Sequence, residues 1–154
     1  QPEIGELTNL KALEITHNHL EELPSEIGFL TNLELLNLTG NNLTALPQEI
    51  GNLTKLLELR AGRNQISFLP PEIGNLTNLQ ILHLYQNQLI ELPTQIGNLT
   101  NLETLDLRNN SLVSLPAEIK ELTKLKYLHL GGNPIPEDQR QAIKEMLPNA
   151  QINF

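Results

Sequence analysis

Four side chains able to ligate a metal, carry a proton or pair with charge recur at one interval: Arg60, His83, Asp106 and His129 are each 23 residues apart. Tyr85, Arg108 and Tyr127 lie two residues from members of that series. Imidazole and carboxylate are metal ligands, so His83, Asp106 and His129 are the first place to look for a metal centre. Tyr and Arg are the residue types enriched where one protein grips another. Nucleophilic catalysis needs an activated side chain with its base and orienter. The chain has no cysteine, and no such set assembles around the series.

The interval of 23 governs the whole chain. Leu13, Leu36, Leu59, Leu82, Leu105 and Leu128 follow it, and so do Asn18, Asn41, Asn64, Asn87, Asn110 and Asn133. A fixed period of this size predicts a solenoid of stacked units, each too small to bury its own apolar face. Six units follow: 1–23, 24–46, 47–69, 70–92, 93–115 and 116–138. Around Leu82 and Leu84 apolar residues alternate with variable ones, which predicts a short strand with one buried face. Ile73, Leu76 and Leu79 recur every third residue, which predicts a short helical or 3₁₀ turn on the opposite side. A Pro-x-Glu or Pro-Glu start places Glu3, Glu26, Glu49, Glu72 and Glu118 at the positive end of that turn. Gly5, Gly28, Gly51, Gly74 and Gly97 are expected to let the chain leave the turn without strain.

Leu79-x-x-Leu82-x-Leu84-x-x-Asn87-x-Leu89 resembles the leucine-rich repeat signature, and the same frame fits all six units. With its Leu-Pro-x-Glu-Ile-Gly stretch the chain is similar to the 23-residue intracellular and bacterial type, as in Ras-suppressor-like proteins, their plant relatives and the repeat regions of some Roco GTPases. The resemblance implies an α/β solenoid: a right-handed superhelix with a concave parallel β-sheet and short helical or 3₁₀ turns on the convex side. It also implies an inward-pointing asparagine row at Asn18, Asn41, Asn64, Asn87, Asn110 and Asn133. A buried amide needs hydrogen-bond partners, and loop backbone groups of adjoining units can supply them.

Between core leucines, the intervening strand residues face the concave surface. They form three rows: Ala12, Leu35, Glu58, Ile81, Thr104 and Tyr127; then Glu14, Asn37, Arg60, His83, Asp106 and His129; then Thr16, Thr39, Gly62, Tyr85, Arg108 and Gly131. These rows vary where the core does not, so they are where binding specificity can be written. The expected ligand-binding set is Arg60, His83, Tyr85, Asp106, Arg108, Tyr127 and His129. Two strands separate His83 from His129, about 10 Å at the backbone. Zinc needs its ligands at about 2 Å, so no metal and no cofactor is expected. Ala61 stands where other units carry Leu or Ile, and Gly62 follows it. The resulting notch is either filled by Tyr85 or a neighbouring leucine, or open as a docking pocket for a partner's side chain.

The ends differ. Residues 1–135 carry the repeats. Residues 136–154 read as a cap: Pro136, Glu137 and Asp138 open a helix whose Ala142, Ile143, Met146 and Leu147 share one face, Pro148 stops it, and Ile152 and Phe154 alternate as a last strand. Leu10, Leu13 and Ile15 stand beside an end with no such cover, which predicts a longer parent protein or self-association through the N-terminal end. A net charge of -8 speaks against nucleic acid. No apolar run is long enough to span a membrane. Absence of cysteine favours a reducing compartment or a bacterial source, and the cytoplasm is the expected location. Asn-Leu-Thr at Asn52, Asn75 and Asn98 reflects duplication as simply as glycan acceptance. The leading expectation is a non-catalytic module binding a protein or peptide on its concave face. The rival is the substrate-targeting region of a larger enzyme, a GTPase or ligase-like effector, whose catalytic domain lies outside this chain.

Overall fold

A computed structural model describes residues 2–154. Seven three-residue strands form one parallel sheet in sequence order: β1 (Ala12–Glu14), β2 (Leu35–Asn37), β3 (Glu58–Arg60), β4 (Ile81–His83), β5 (Thr104–Asp106), β6 (Tyr127–His129) and β7 (Gln151–Asn153). The register follows the sequence period. Leu13 pairs with Leu36, Leu36 with Leu59, and so on to Leu128, which pairs with Ile152. Six five-residue 3₁₀ turns, from Pro2–Glu6 to Ala117–Glu121, line the opposite side. One helix, α1 (Glu137–Met146), precedes β7.

Each coil closes around its apolar residues. In the fourth, Ile73, Leu76, Leu79, Leu82, Leu84 and Leu89 are all fully buried. Burying one such side chain is worth about 1.5–3 kcal/mol, and stacking repeats that gain along the array. Pro70 stands in extended conformation just before its turn, and Ile73 N–H donates to its carbonyl at 3.0 Å. The fixed φ of proline thus sets the entry angle of the turn. Ile143 of α1 and Leu147 just after it are buried and pack against the same core.

The glycines of the turns act differently from the expectation. None of Gly28, Gly51, Gly74 and Gly97 has a positive φ. A Cβ at Gly51, Gly74 or Gly97 would instead lie 2.7 Å from a backbone oxygen of the next coil, that of Glu72, Gln95 or Glu118. Glycine is needed because neighbouring turns stack this closely. In the sixth turn the same place holds Lys120, where no seventh 3₁₀ turn follows.

Left-handed backbone occurs one residue before each ladder asparagine, in His17, Gly40, Arg63, Gln86, Asn109 and Gly132, with φ between 51° and 79°. Four of these six are not glycine. The strain recurs because every coil must make the same sharp departure from its strand.

Candidate functional site

Five asparagines of the row form a buried ladder. Asn87 is representative: its Nδ2 donates to Ala61 O and Leu84 O at 3.0 Å each, while its Oδ1 accepts from Ile66 N–H at 2.9 Å. Asn41, Asn64, Asn110 and Asn133 repeat the pattern. Each amide therefore ties its own coil to the preceding one. Asn18 departs from the expectation. It is exposed and donates to Thr16 O at 2.9 Å. No described coil precedes it to supply the second carbonyl that its counterparts use.

On the open face of the sheet, the strands bring most of the expected ligand-binding residues side by side. Arg60, His83, Asp106 and His129 occupy successive register positions on β3 to β6. Tyr85 lies against Gly62, where any Cβ would fall within 2.5 Å of its ring. The Ala61–Gly62 notch is therefore occupied by Tyr85 and offers no pocket. Arg108 sits with its guanidinium 5.8 Å from the Tyr85 ring centre, and the His83 and Tyr85 rings meet edge to face at 6.5 Å. Tyr127 stacks parallel on His129 at 6.4 Å, and Asn153 on β7 bonds the His129 ring at 3.0 Å.

Asp106 corrects the sequence reading. Strand alternation puts it among the outward ligand-binding residues, yet it is only 3 % exposed. Its Oδ1 accepts from Arg108 N–H at 3.2 Å and Nε at 2.9 Å, and its Oδ2 accepts from Nη2 at 2.6 Å. The carboxylate folds back over its own strand exit, as Asn37 does when it accepts from Thr39 N–H at 3.2 Å. Burial alone would raise the Asp106 pKa, but the Arg108 hydrogen bonds and charge outweigh it and hold the carboxyl below its ordinary value. Asp106 thus acts as a clamp on Arg108. Arg60 is paired in a similar way with Glu58. Half-burial is the main cause that depresses the His83 pKa, with the neighbouring Asp106 charge opposing it.

This clamp also removes the carboxylate from any metal set. Among the described residues no three His, Asp or Glu side chains are grouped to hold a metal ion. A second amide series, invisible to the reading above, runs along the turn side: Asn32, Asn78 and Asn101 each donate to a Thr carbonyl one coil earlier at 2.8–2.9 Å. Its signal in the sequence is the Thr-Asn-Leu that precedes β1, β2, β4 and β5. Lys55 and Lys124 replace Asn in two coils and reach Asn32 and Asn101 instead.

A one-sheet stack with leucines inside, amides bridging the coils and varied side chains on the strand face defines a repeat solenoid built to display a surface. The chain belongs to the leucine-rich repeat family: the profile of a leucine-rich repeat region matches residues 2–88 and 72–146. It is similar to a leucine-rich repeat protein of Leptospira interrogans, with TM-score 0.97 and 43% identity over 99% of this chain and 39% of that one. It is also similar to the ectodomain of the Arabidopsis thaliana receptor kinase GASSHO1/SCHENGEN3, solved with CASPARIAN STRIP INTEGRITY FACTOR 2, with TM-score 0.85 and 36% identity over 99% of this chain and 19% of that one. The plant peptide hormone receptor RGFR1, solved with RGF2, gives TM-score 0.82 and 37% identity over 99% and 26%. A comparison with curated proteins finds no match. The chain spans about two-fifths of the Leptospira protein and about a fifth and a quarter of the two receptors. Leucine-rich repeat arrays are typically protein-interaction modules and generally non-catalytic scaffolds. No helix among the described residues is long and apolar enough to cross a membrane.

Proposed function

We infer that this chain binds a protein or an extended peptide along the open face of its sheet, through Arg60, His83, Tyr85, Arg108, Tyr127 and His129. The observation that carries the reading is that these groups are set in place before any ligand arrives. Arg108 is fixed by three hydrogen bonds to Asp106, Tyr85 by Gly62 beneath it, and His129 by Tyr127 and Asn153. Held side chains lose little freedom on association, so more of the contact energy appears as affinity. Tyr127 is 46 % exposed and offers a large ring to a partner. The peptide complexes of the plant receptors, which share this architecture, support a peptide or protein as the class of ligand. The lack of cysteine supports a reducing setting such as the cytoplasm.

Replacing Arg108 is a poor test, because Asp106 would be left buried without its partner. Tyr127→Ala combined with His129→Ala removes exposed contact groups and leaves the core intact. In affinity capture from the source organism's lysate, a bound protein retained by the native chain should be lost or reduced at least about ten-fold with this variant, a 1.4 kcal/mol effect. Unchanged recovery would refute the face.

A further inference from the structure

Glycine costs a fold backbone entropy and is needed where the backbone conformation or a close neighbour leaves no room for a side chain. Of the nine glycines, eight meet one of those demands. Gly40 and Gly132 have φ of 74° and 79°. At Gly5, Gly28, Gly51, Gly62, Gly74 and Gly97 a Cβ would meet another atom at 2.9 Å or less. Gly131 is the exception. Its φ is not positive, and the atom nearest to a Cβ there would be the Phe154 carbonyl carbon at 3.7 Å, an ordinary contact. Its main chain stays in the ladder, where Asn109 N–H donates to its oxygen at 2.8 Å. Neither backbone strain nor packing explains the missing side chain.

Its place on the sheet face does. Gly131 continues the line of Tyr127 and His129 along the sixth coil, at two-residue intervals. The two rings form a parallel stack, with 4° between their planes, and the line then drops to bare backbone. Arg108 Cγ, on the β5 side, would lie 4.0 Å from a Cβ at Gly131, and Phe154 O, on the β7 side, 3.9 Å from it. Phe154 O accepts no hydrogen bond from any described residue. At Gly62, the equivalent place on the third coil, Tyr85 takes up the room; at Gly131 nothing does.

We propose that the main chain of a bound extended peptide crosses the sheet face over Gly131, between the Arg108 stem and Phe154, with one peptide N–H donating to Phe154 O. This rests on the sheet-face reading above and adds where the ligand's backbone comes closest. Only a residue without Cβ lets a second main chain approach the sheet this nearly. Asp106 holds Arg108 by Nε and Nη2, so the slot keeps its width before a ligand arrives.

The probe is a peptide selected on the native chain from a random display library, with fluorescence anisotropy reading its affinity. Tyr127→Ala combined with His129→Ala should lose the peptide, which places it on the face. Gly131→Leu should weaken it at least about ten-fold, and Gly131→Ala at least about three-fold. Gly131→Ala should melt no lower than the native chain, because replacing glycine at a compatible φ removes freedom from the unfolded state. Thr39→Leu, in the same row on the second coil, should bind within about two-fold of the native chain, as contacts away from the closest approach do. A peptide lost by the aromatic double variant but held equally by Gly131→Leu overturns the proposal and leaves the face reading standing. Full affinity in Gly131→Ala overturns it too, since a partner's side chain and not its backbone would then fill the slot. So does a lowered melt in Gly131→Ala, which would make the glycine structural, or an equal loss in Thr39→Leu. A peptide indifferent to the aromatic double variant, or a library that yields none, overturns the face reading and this inference together.

Discussion

Asn87 and Asn18 occupy the same place in the repeat and have different jobs. Removing the Asn87 amide orphans Ile66 N–H in a buried setting and takes from Ala61 O and Leu84 O one of the two amide donors each accepts. Asn87→Ala should cost about 3 kcal/mol, whereas Asn18→Ala should cost less than about 0.5 kcal/mol; urea unfolding measures both. His83 makes the array sensitive to acid. Burial sets its folded pKa below the unfolded value of about 6.5. As pH falls, the unfolded chain takes up the proton first, so the stability held by neutral His83 is full above about pH 7 and is lost as pH drops through that range. Replacing it by His83→Gln should flatten the stability profile between about pH 7 and 5. The sequence pattern placed Arg60, His83, Tyr85, Tyr127 and His129 on the sheet face, because strand alternation is enough for that. It gave no warning of Asp106. A carboxylate that folds back to hold the arginine two residues later is a matter of rotamer and backbone direction, and alternation carries neither.

The 3₁₀ turns show the same division between what periodicity encodes and what packing adds. Their existence and place follow from Ile73, Leu76 and Leu79 at every third residue, and the strands follow from Leu82 and Leu84. The reason for glycine in the turns lies in the distance between coils, which no single unit contains. Gly74→Ala would drive a methyl group to 2.7 Å from Gln95 O, a backbone atom that cannot swing aside. It should destabilise the fold by about 2 kcal/mol, as overpacking does elsewhere. Lys120→Ala, at the equivalent place in the sixth turn, should change stability by less than about 0.5 kcal/mol. Thermal melts of the pair would separate close stacking from backbone freedom as the cause, since a requirement for backbone freedom would be met equally well by alanine at a negative φ.

Taken together, the coils form a one-dimensional array in which each unit leans on its neighbours. Interior coils have their core leucines buried, while Leu10, Leu13, Ile15 and Leu20 of the first are only partly covered. Hydrogen exchange should therefore be fastest in the first coil, slower at β6, which pairs with β7, and slowest at β3 to β5. Uniform protection along the sheet would contradict this gradient. The ordered interior is what leaves the strand face free to carry a binding surface. The most direct test is hydroxyl-radical footprinting of the chain with its captured partner. Tyr85, Tyr127 and His129 should lose reactivity on complex formation, while Phe29, exposed on the turn side, keeps it. Protection of Phe29 with Tyr127 and His129 unchanged would contradict the account.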